Sequence, residues 1–401
     1  MEMLLFADFL GKAVWMWLVF VTVVIALLVL DLGVLHKDQH EIGVRESLLL
    51  SSFYITIALC FGGWIWFEMG REPALEYLTG FVVEKSLAMD NIFVIAMIFS
   101  FFAIPLKYQH RVLFWGILGV IVLRAVMIAL GATLVSQFGW VLYIFALFLV
   151  LTGYKLLVLT DGAQSLLESN RFARPATAGA WVALCLALAY AARVGMAQTG
   201  EVIAVQATVY LLTAATAYLG IKIAYLSHEE EKDLAGNPLL VWLRRHLRVT
   251  DAIEGRDFTV QLPDAKSGRM ATYFTPLFLA LVMIEIADVV FAVDSVPAIF
   301  AITTDPYIVY TSNIFAILGL RALYFALAAM MARFAYLKYA LSLVLIFIGS
   351  KIFISNLMGW EKFPASWSLS ITLFLLASGF IYSAWKTRGS STGDATRPDG
   401  R

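Results

Sequence analysis

The 401 residues are 61% hydrophobic and only 14% charged, with a mean hydropathy of +0.83. Soluble domains carry about 25% charged residues, so this composition excludes a water-soluble globule and implies a chain that lives in a lipid bilayer. The 29 basic and 29 acidic residues cancel, which leaves no bulk-charge attraction toward nucleic acid.

A bilayer core needs about 20 apolar residues per helix. Taken in chain order, apolar runs predict spans near 13–35, 47–67, 80–102, 112–133, 139–160, 177–196, 202–226, 274–302, 309–332, 337–357 and 366–386. The fold class expected is therefore all-α, a polytopic membrane protein of about 9–11 transmembrane helices. Met1–Gly11 has no basic leader, so the first run is expected to remain as a span. Asp31 closes that span as a helix-end residue. Cys60 and Cys185 lie alone in apolar helices and read as small buried hydrophobes. Of the 29 Lys and Arg residues, 19 fall in the connections after odd-numbered spans and in the C-terminal segment, and only four on the other side. By the positive-inside rule, the N-terminus lies outside and the C-terminus in the cytoplasm.

The third span carries Glu84-Lys85-Ser-Leu-Ala-Met-Asp90-Asn91. The eighth carries Glu285-Ile-Ala-Asp288 and then Asp294-Ser295-Val-Pro297. A charge at the centre of a membrane helix costs roughly 2.5–3.5 kcal/mol on insertion scales, so such groups persist where they pair, line water or bind an ion. Each acidic span is followed by one with a central arginine, Arg124 or Arg321. Each of those is followed by one with Gly-x-Lys, Gly153-Tyr-Lys155 or Gly349-Ser-Lys351. Three features recurring in one order predict an internal repeat of three helices each. The two copies start an odd number of spans apart and are inverted, as in transporters that bind cargo at the repeat interface.

The chain then divides as 1–79 (two N-terminal helices), 80–160 (first repeat unit), 161–226 (two further apolar helices), 227–271 (a cytoplasmic basic loop), 272–357 (second repeat unit), 358–388 (a last helix) and 389–401 (a disordered tail). Within the loop, Asn237–Arg248 predicts a short basic amphipathic helix on the membrane surface, with a protein partner as the other use of the 227–271 segment.

At about 100° per residue, Glu84 and Asn91 share one helical stripe, as do Asp288 and Ser295, while Asp90 and Asp294 point to the side. Pro297 removes a backbone hydrogen bond and is expected to kink or break its helix beside Asp294. The candidate metal ligands are Glu84, Asp90, Asn91, Glu285, Asp288, Asp294 and Ser295, with Arg124 and Arg321 as charge partners. All are oxygen donors, which suits Mn²⁺, Mg²⁺ or Ca²⁺ better than Zn²⁺ or Cu⁺. Glu84 and Lys85 also fit an interfacial ion pair, and Asn313 is a weaker polar candidate.

These strings, with Asp31-Leu-Gly-Val-Leu and Thr311-Ser-Asn313-Ile-Phe-Ala-Ile-Leu-Gly-Leu-Arg321, resemble the TerC/Alx family of integral membrane proteins, related to LysE-type transporters. The resemblance implies a multi-pass protein of the bacterial inner membrane, a link to tellurite resistance, and export of Mn²⁺ with the acidic motifs holding the metal. In the family the cytoplasmic loop follows the first Gly-x-Lys span, so 161–226 is an unusual insertion. Its Gly220-Ile-Lys222 competes with Gly153-Tyr-Lys155 for the family position. The expected function is cation/proton exchange, with Mn²⁺ and protons as the partners besides lipid, no resident cofactor and no enzymatic step. The alternative is a membrane scaffold or assembly factor linked to tellurite resistance or envelope stress.

Overall fold

Residues 14–30 contain no charge at all, and they form a helix, α1 (Val14–Leu30), that buries only the stripe Met16, Phe20, Val24 and Leu27. Leu18, Val21, Ile25 and Val29 face outward. An apolar exterior around an apolar stripe is what a lipid-facing helix requires. The computed structural model describes residues 6–30, 44–158, 173–199, 203–225, 238–250, 255, 257–263, 269–328, 337–360 and 362–388. Asp31, the tail 389–401 and parts of 161–226 and 227–271 lie outside the described residues.

After a hairpin of β1 (Asp8–Phe9) and β2 (Lys12–Ala13), α1 is followed by α2 (Val44–Met69), α3 (Arg71–Phe101), α4 (Leu106–Gln137) and α5 (Val141–Val158). Next come α6 (Ala173–Thr199), α7 (Ile203–Ala224) and the short α8 (Pro238–His246). A hairpin of β3 (Thr259–Pro263) and β4 (Met270–Phe274) precedes α9 (Pro276–Phe300). The chain closes with α10 (Pro306–Leu318), α11 (Leu320–Ala328), α12 (Leu337–Met358) and α13 (Ala365–Arg388). Among the described residues, eight helices are long and apolar enough to cross a membrane, and α1 and α10 are shorter apolar helices. The chain is an all-α polytopic membrane protein.

Two expectations change. Pro297 does not interrupt α9, which runs through it and ends three residues later at Phe300. The break falls instead at Gly319, between α10 and α11. There the Lys85 ammonium lies 2.7 Å from where a Cβ would stand, so the interruption and the close approach share one glycine. Cys60 is exposed on the apolar surface rather than buried, whereas Cys185 is buried as expected.

The packing places the site. α3 packs on α10 and α9 packs on α4, and α3 and α9 meet each other. α5 and α12 form the most extensive helix pair. A Cβ at Gly153 would stand 2.7 Å from the Ser342 carbonyl oxygen, and one at Gly349 would stand 2.6 Å from the Ala146 carbonyl oxygen. The contacts are reciprocal and antiparallel, seven residues before each glycine. Gly153, not Gly220, is thus the packing counterpart of Gly349. Gly220 instead lies under the indole of Trp181, which stacks on Tyr154 with ring centroids 4.1 Å apart. Through these contacts α6 and α7 attach to the outside of the α5–α12 pair.

At one end of the bundle, Lys12 pairs with Asp305 at 2.9 Å, and Asp305 also caps α10 through the Tyr307 N–H. At the other end, α8 lays Leu240 and Leu243 into a core with Leu113 and Leu277, leaving Val241 and Trp242 exposed. The amphipathic helix expected there forms, and its leucines bury against the protein itself.

Candidate functional site

Four helices bring one buried guanidinium and its acceptors together. Arg124, at the middle of α4, is 1% exposed. Its Nη1 donates to Glu84 on α3, to Asn313 on α10 and to the Ser295 hydroxyl on α9 at 3.1 Å. Its Nη2 donates to Asp288 Oδ1 at 3.3 Å, and its Nε lies 3.5 Å from Asp288 Oδ2. Glu84 and Asp288 therefore share one cation, although they are about two hundred residues apart and belong to different acidic spans. In a low-dielectric interior the permanently charged guanidinium needs the acids, and the acids need it to stay ionised.

The donor set is nearly complete but not closed. Glu84 Oε2 and Asn313 Nδ2 are buried with no hydrogen-bond partner. Both lie beside the guanidinium, so the cluster keeps unused oxygen and amide capacity. Glu285 stands one turn before Asp288, with its carboxylate packed against Gly119 of α4 and Oε2 without a partner. Only glycine permits this, because a Cβ at residue 119 would occupy the place of the carboxylate.

A cavity of about 40 Å³ touches Asp288 and Asn91 and is bordered further by Ile95, Gly116, Phe291 and Tyr324. This is room for one or two waters. It lies on the α8 side of Arg124, because Asn91 and Ile95 come later on α3 than Glu84 and Gly116 comes earlier on α4 than Arg124. Below it the Tyr324 hydroxyl donates to Gln109 Oε1 at 3.0 Å, and Gln109 Nε2 donates to the Ile104 carbonyl at 2.9 Å. That buried pair shuts the cavity toward α8.

Of the sequence candidates, Glu84, Asp288, Ser295 and Arg124 converge, Asn91 lines the adjoining cavity, and Glu285 sits one turn away. The backbones of Asp90, Asp294 and Arg321 are helical, and their side chains lie outside the described residues. Lys85 does not pair with Glu84 at an interface. Both are buried, and Lys85 donates to the Ala316 carbonyl at 3.1 Å. Asn313 is a full member of the cluster. Among the described residues no three His, Cys, Asp or Glu side chains group as a metal site.

The description "Integral membrane protein TerC family" fits residues 69–187 and 175–391. The chain belongs to the TerC family. An uncharacterised membrane protein of Rickettsia bellii (strain RML369-C) is 42% identical to this TerC-family chain over 92% of it and 96% of the relative. One from Myxococcus xanthus is 37% identical over 96% of each chain. A relative in Escherichia coli (strain K12), provisionally described as the membrane-bound redox modulator Alx, is 38% identical over 92% of this chain and 94% of its own. No solved structure matches the chain.

Proposed function

We propose that this TerC-family protein exports divalent cations, Mn²⁺ foremost, across the bacterial inner membrane in exchange for protons. The N-terminus lies outside and the C-terminus in the cytoplasm. The observation that carries this reading is Arg124 held between Glu84 and Asp288, with Ser295 and Asn313 as further acceptors. A guanidinium there is a built-in counter-cation. When it withdraws, two carboxylates, a hydroxyl and an amide oxygen are left facing one point, the hard oxygen set that Mn²⁺ accepts. Asp90, Asn91, Glu285 and Asp294 complete the proposed path to and from that point.

Exchange follows from competition. Metal, Arg124 and protons are alternative partners for the same carboxylates, so the acids are never left bare in lipid. The reciprocal packing of α3 on α10, α9 on α4 and α5 on α12 supports two inverted units that could rock about the shared cluster. The cavity lies on the cytoplasmic side of the cluster and is closed toward α8 by the Tyr324–Gln109 pair in this conformation. No catalytic step is part of this reading.

Cells lacking the gene, complemented with wild type, E84Q, D90N, D288N or D294N, test it by manganese accumulation at equal expression. Wild type lowers cellular manganese and the four variants do not. Export at wild-type level in E84Q and D288N would remove the proposed site. The scaffold reading draws on the exposed Val241 and Trp242 beside the basic residues of α8. It predicts the reverse pattern, with function surviving loss of the acids and failing on deletion of 227–271.

A further inference from the structure

A second polar chamber opens at the end of the bundle opposite α8, between the end of α9, the start of α5 and the last turns of α12. It has a volume of about 320 Å³, and Lys351, Ser355, Asn356, Thr303, Lys362 and Tyr143 line it. Lys351 is 4% exposed, although it stands within a membrane span. Its ammonium donates to the Ser368 hydroxyl at 3.3 Å and makes no ion pair among the described residues. One turn later the Ser355 hydroxyl, on a residue 6% exposed, is buried against the chamber with no partner. Asn356 is held beside it by a 2.7 Å bond to the Tyr143 hydroxyl. Lys362 lies at the mouth.

We propose that this chamber binds a small oxyanion, a phosphate- or carboxylate-type group, with Lys351 supplying the charge and Ser355 a hydroxyl donor. An ammonium carries three donors, and a single neutral hydroxyl answers one of them. A buried ammonium in that condition keeps its proton only beside an anion or a strong hydrogen-bond set, which an oxyanion would supply. The chamber offers both lysines and several hydroxyls to one ligand, and it is large enough for an oxyanion with waters. The competing charge is Glu76, whose field reaches Lys351. Glu76 lines an adjoining cavity of about 360 Å³ with Glu72 and Asp305, and this cavity shares Thr303, Thr304 and Lys362 with the chamber. Asp305 is already engaged by Lys12. The arrangement therefore sets the Lys351 chamber beside an acidic rim, with Lys362 on the boundary between them. It is distinct from the Arg124 cluster and does not depend on what that cluster carries.

The source of the oxyanion is either a free anion or a lipid headgroup, and two ligands distinguish them. The full-length protein, purified in dodecyl maltoside, is titrated with inorganic phosphate at constant ionic strength. In parallel it is titrated with a short-chain phosphatidylglycerol, and the thermal midpoint is followed in both. Wild type gains several degrees, saturably, with at least one ligand. K351M and S355A weaken the apparent affinity ten-fold or more. E76Q, which removes the opposing charge, tightens it, and K155M, at an exposed lysine, leaves it unchanged. A response to phosphatidylglycerol alone assigns the site to a headgroup, and a response to phosphate assigns it to a free anion. If K351M does not fold, S355A and K362Q carry the comparison. Absence of a saturable shift in wild type with either ligand overturns the proposal. So does a shift that S355A and K362Q leave intact, or an E76Q variant that neither binds nor folds, which would make Glu76 the partner of Lys351.

Discussion

Replacing Arg124 with methionine keeps much of its aliphatic bulk and deletes the guanidinium. In R124M, Glu84, both Asp288 oxygens, the Ser295 hydroxyl and the Asn313 amide oxygen lose their donor at once. Two carboxylates are then left facing each other in a buried site beside a cavity of about 40 Å³. Removing one side of a buried ion pair costs about 3–5 kcal/mol. The same network made uncharged throughout is often neutral. R124M should therefore be about 3–5 kcal/mol less stable than wild type by equilibrium unfolding in mixed micelles, and the triple variant R124M/E84Q/D288N should recover most of that loss. If a divalent cation takes the place of the guanidinium, Mn²⁺ at a hundred times its dissociation constant restores about 2.7 kcal/mol to R124M and less to wild type, where Arg124 competes. An R124M protein within about 0.5 kcal/mol of wild type, the range of ordinary surface substitutions, would refute the reasoning. So would a triple variant weaker than the single one.

Gly153→Ala sets a Cβ 2.7 Å from the Ser342 carbonyl oxygen, a backbone atom that cannot move without α12. Unfolding should show a loss of about 1–3 kcal/mol, whereas Gly63→Ala, with nothing within 4 Å of its Cβ, should be neutral or slightly stabilising. Tyr324→Phe removes the 3.0 Å bond to Gln109, costs about 1 kcal/mol, and loosens the floor of the cavity beside Asp288. In a Cys60→Ser background, a thiol introduced by Ala287→Cys should then be labelled faster from the α8 side, and an unchanged labelling rate would deny that the pair closes the cavity.

The spans were legible because about 20 apolar residues in a row leave few alternatives to a membrane helix. The charged positions were legible for the same reason, since Glu84, Asp288 and Arg124 are too expensive in lipid to be incidental. That Arg124 would pair with the acids followed from the cost of a lone buried charge, but that this one arginine would hold an acid from each span did not. That it would also take Asn313 did not, because a single asparagine in an apolar run carries little signal until its neighbours are known. Lys85 was misplaced beside Glu84 because adjacency in sequence is not adjacency on a helix. The two residues point about 100° apart, and Lys85 reaches the Ala316 carbonyl at the Gly319 break. Of the two outcomes expected at Pro297, the break does not occur. One missing hydrogen bond so near the helix end is absorbed by the final turn, whereas Gly319 interrupts the helix with no proline at all. The β3–β4 hairpin was hidden in a segment weighed by its charge, although Thr259–Pro263 alternates exposed and half-buried residues.

Purified protein reconstituted into liposomes with a Mn²⁺-sensitive dye and a proton gradient tests the central claim most directly. Wild type should move Mn²⁺ only when protons can move the other way, and E84Q and D288N should abolish that flux while remaining folded. Manganese flux at wild-type rate through E84Q and D288N, or none through folded wild type under any proton gradient, would contradict the account.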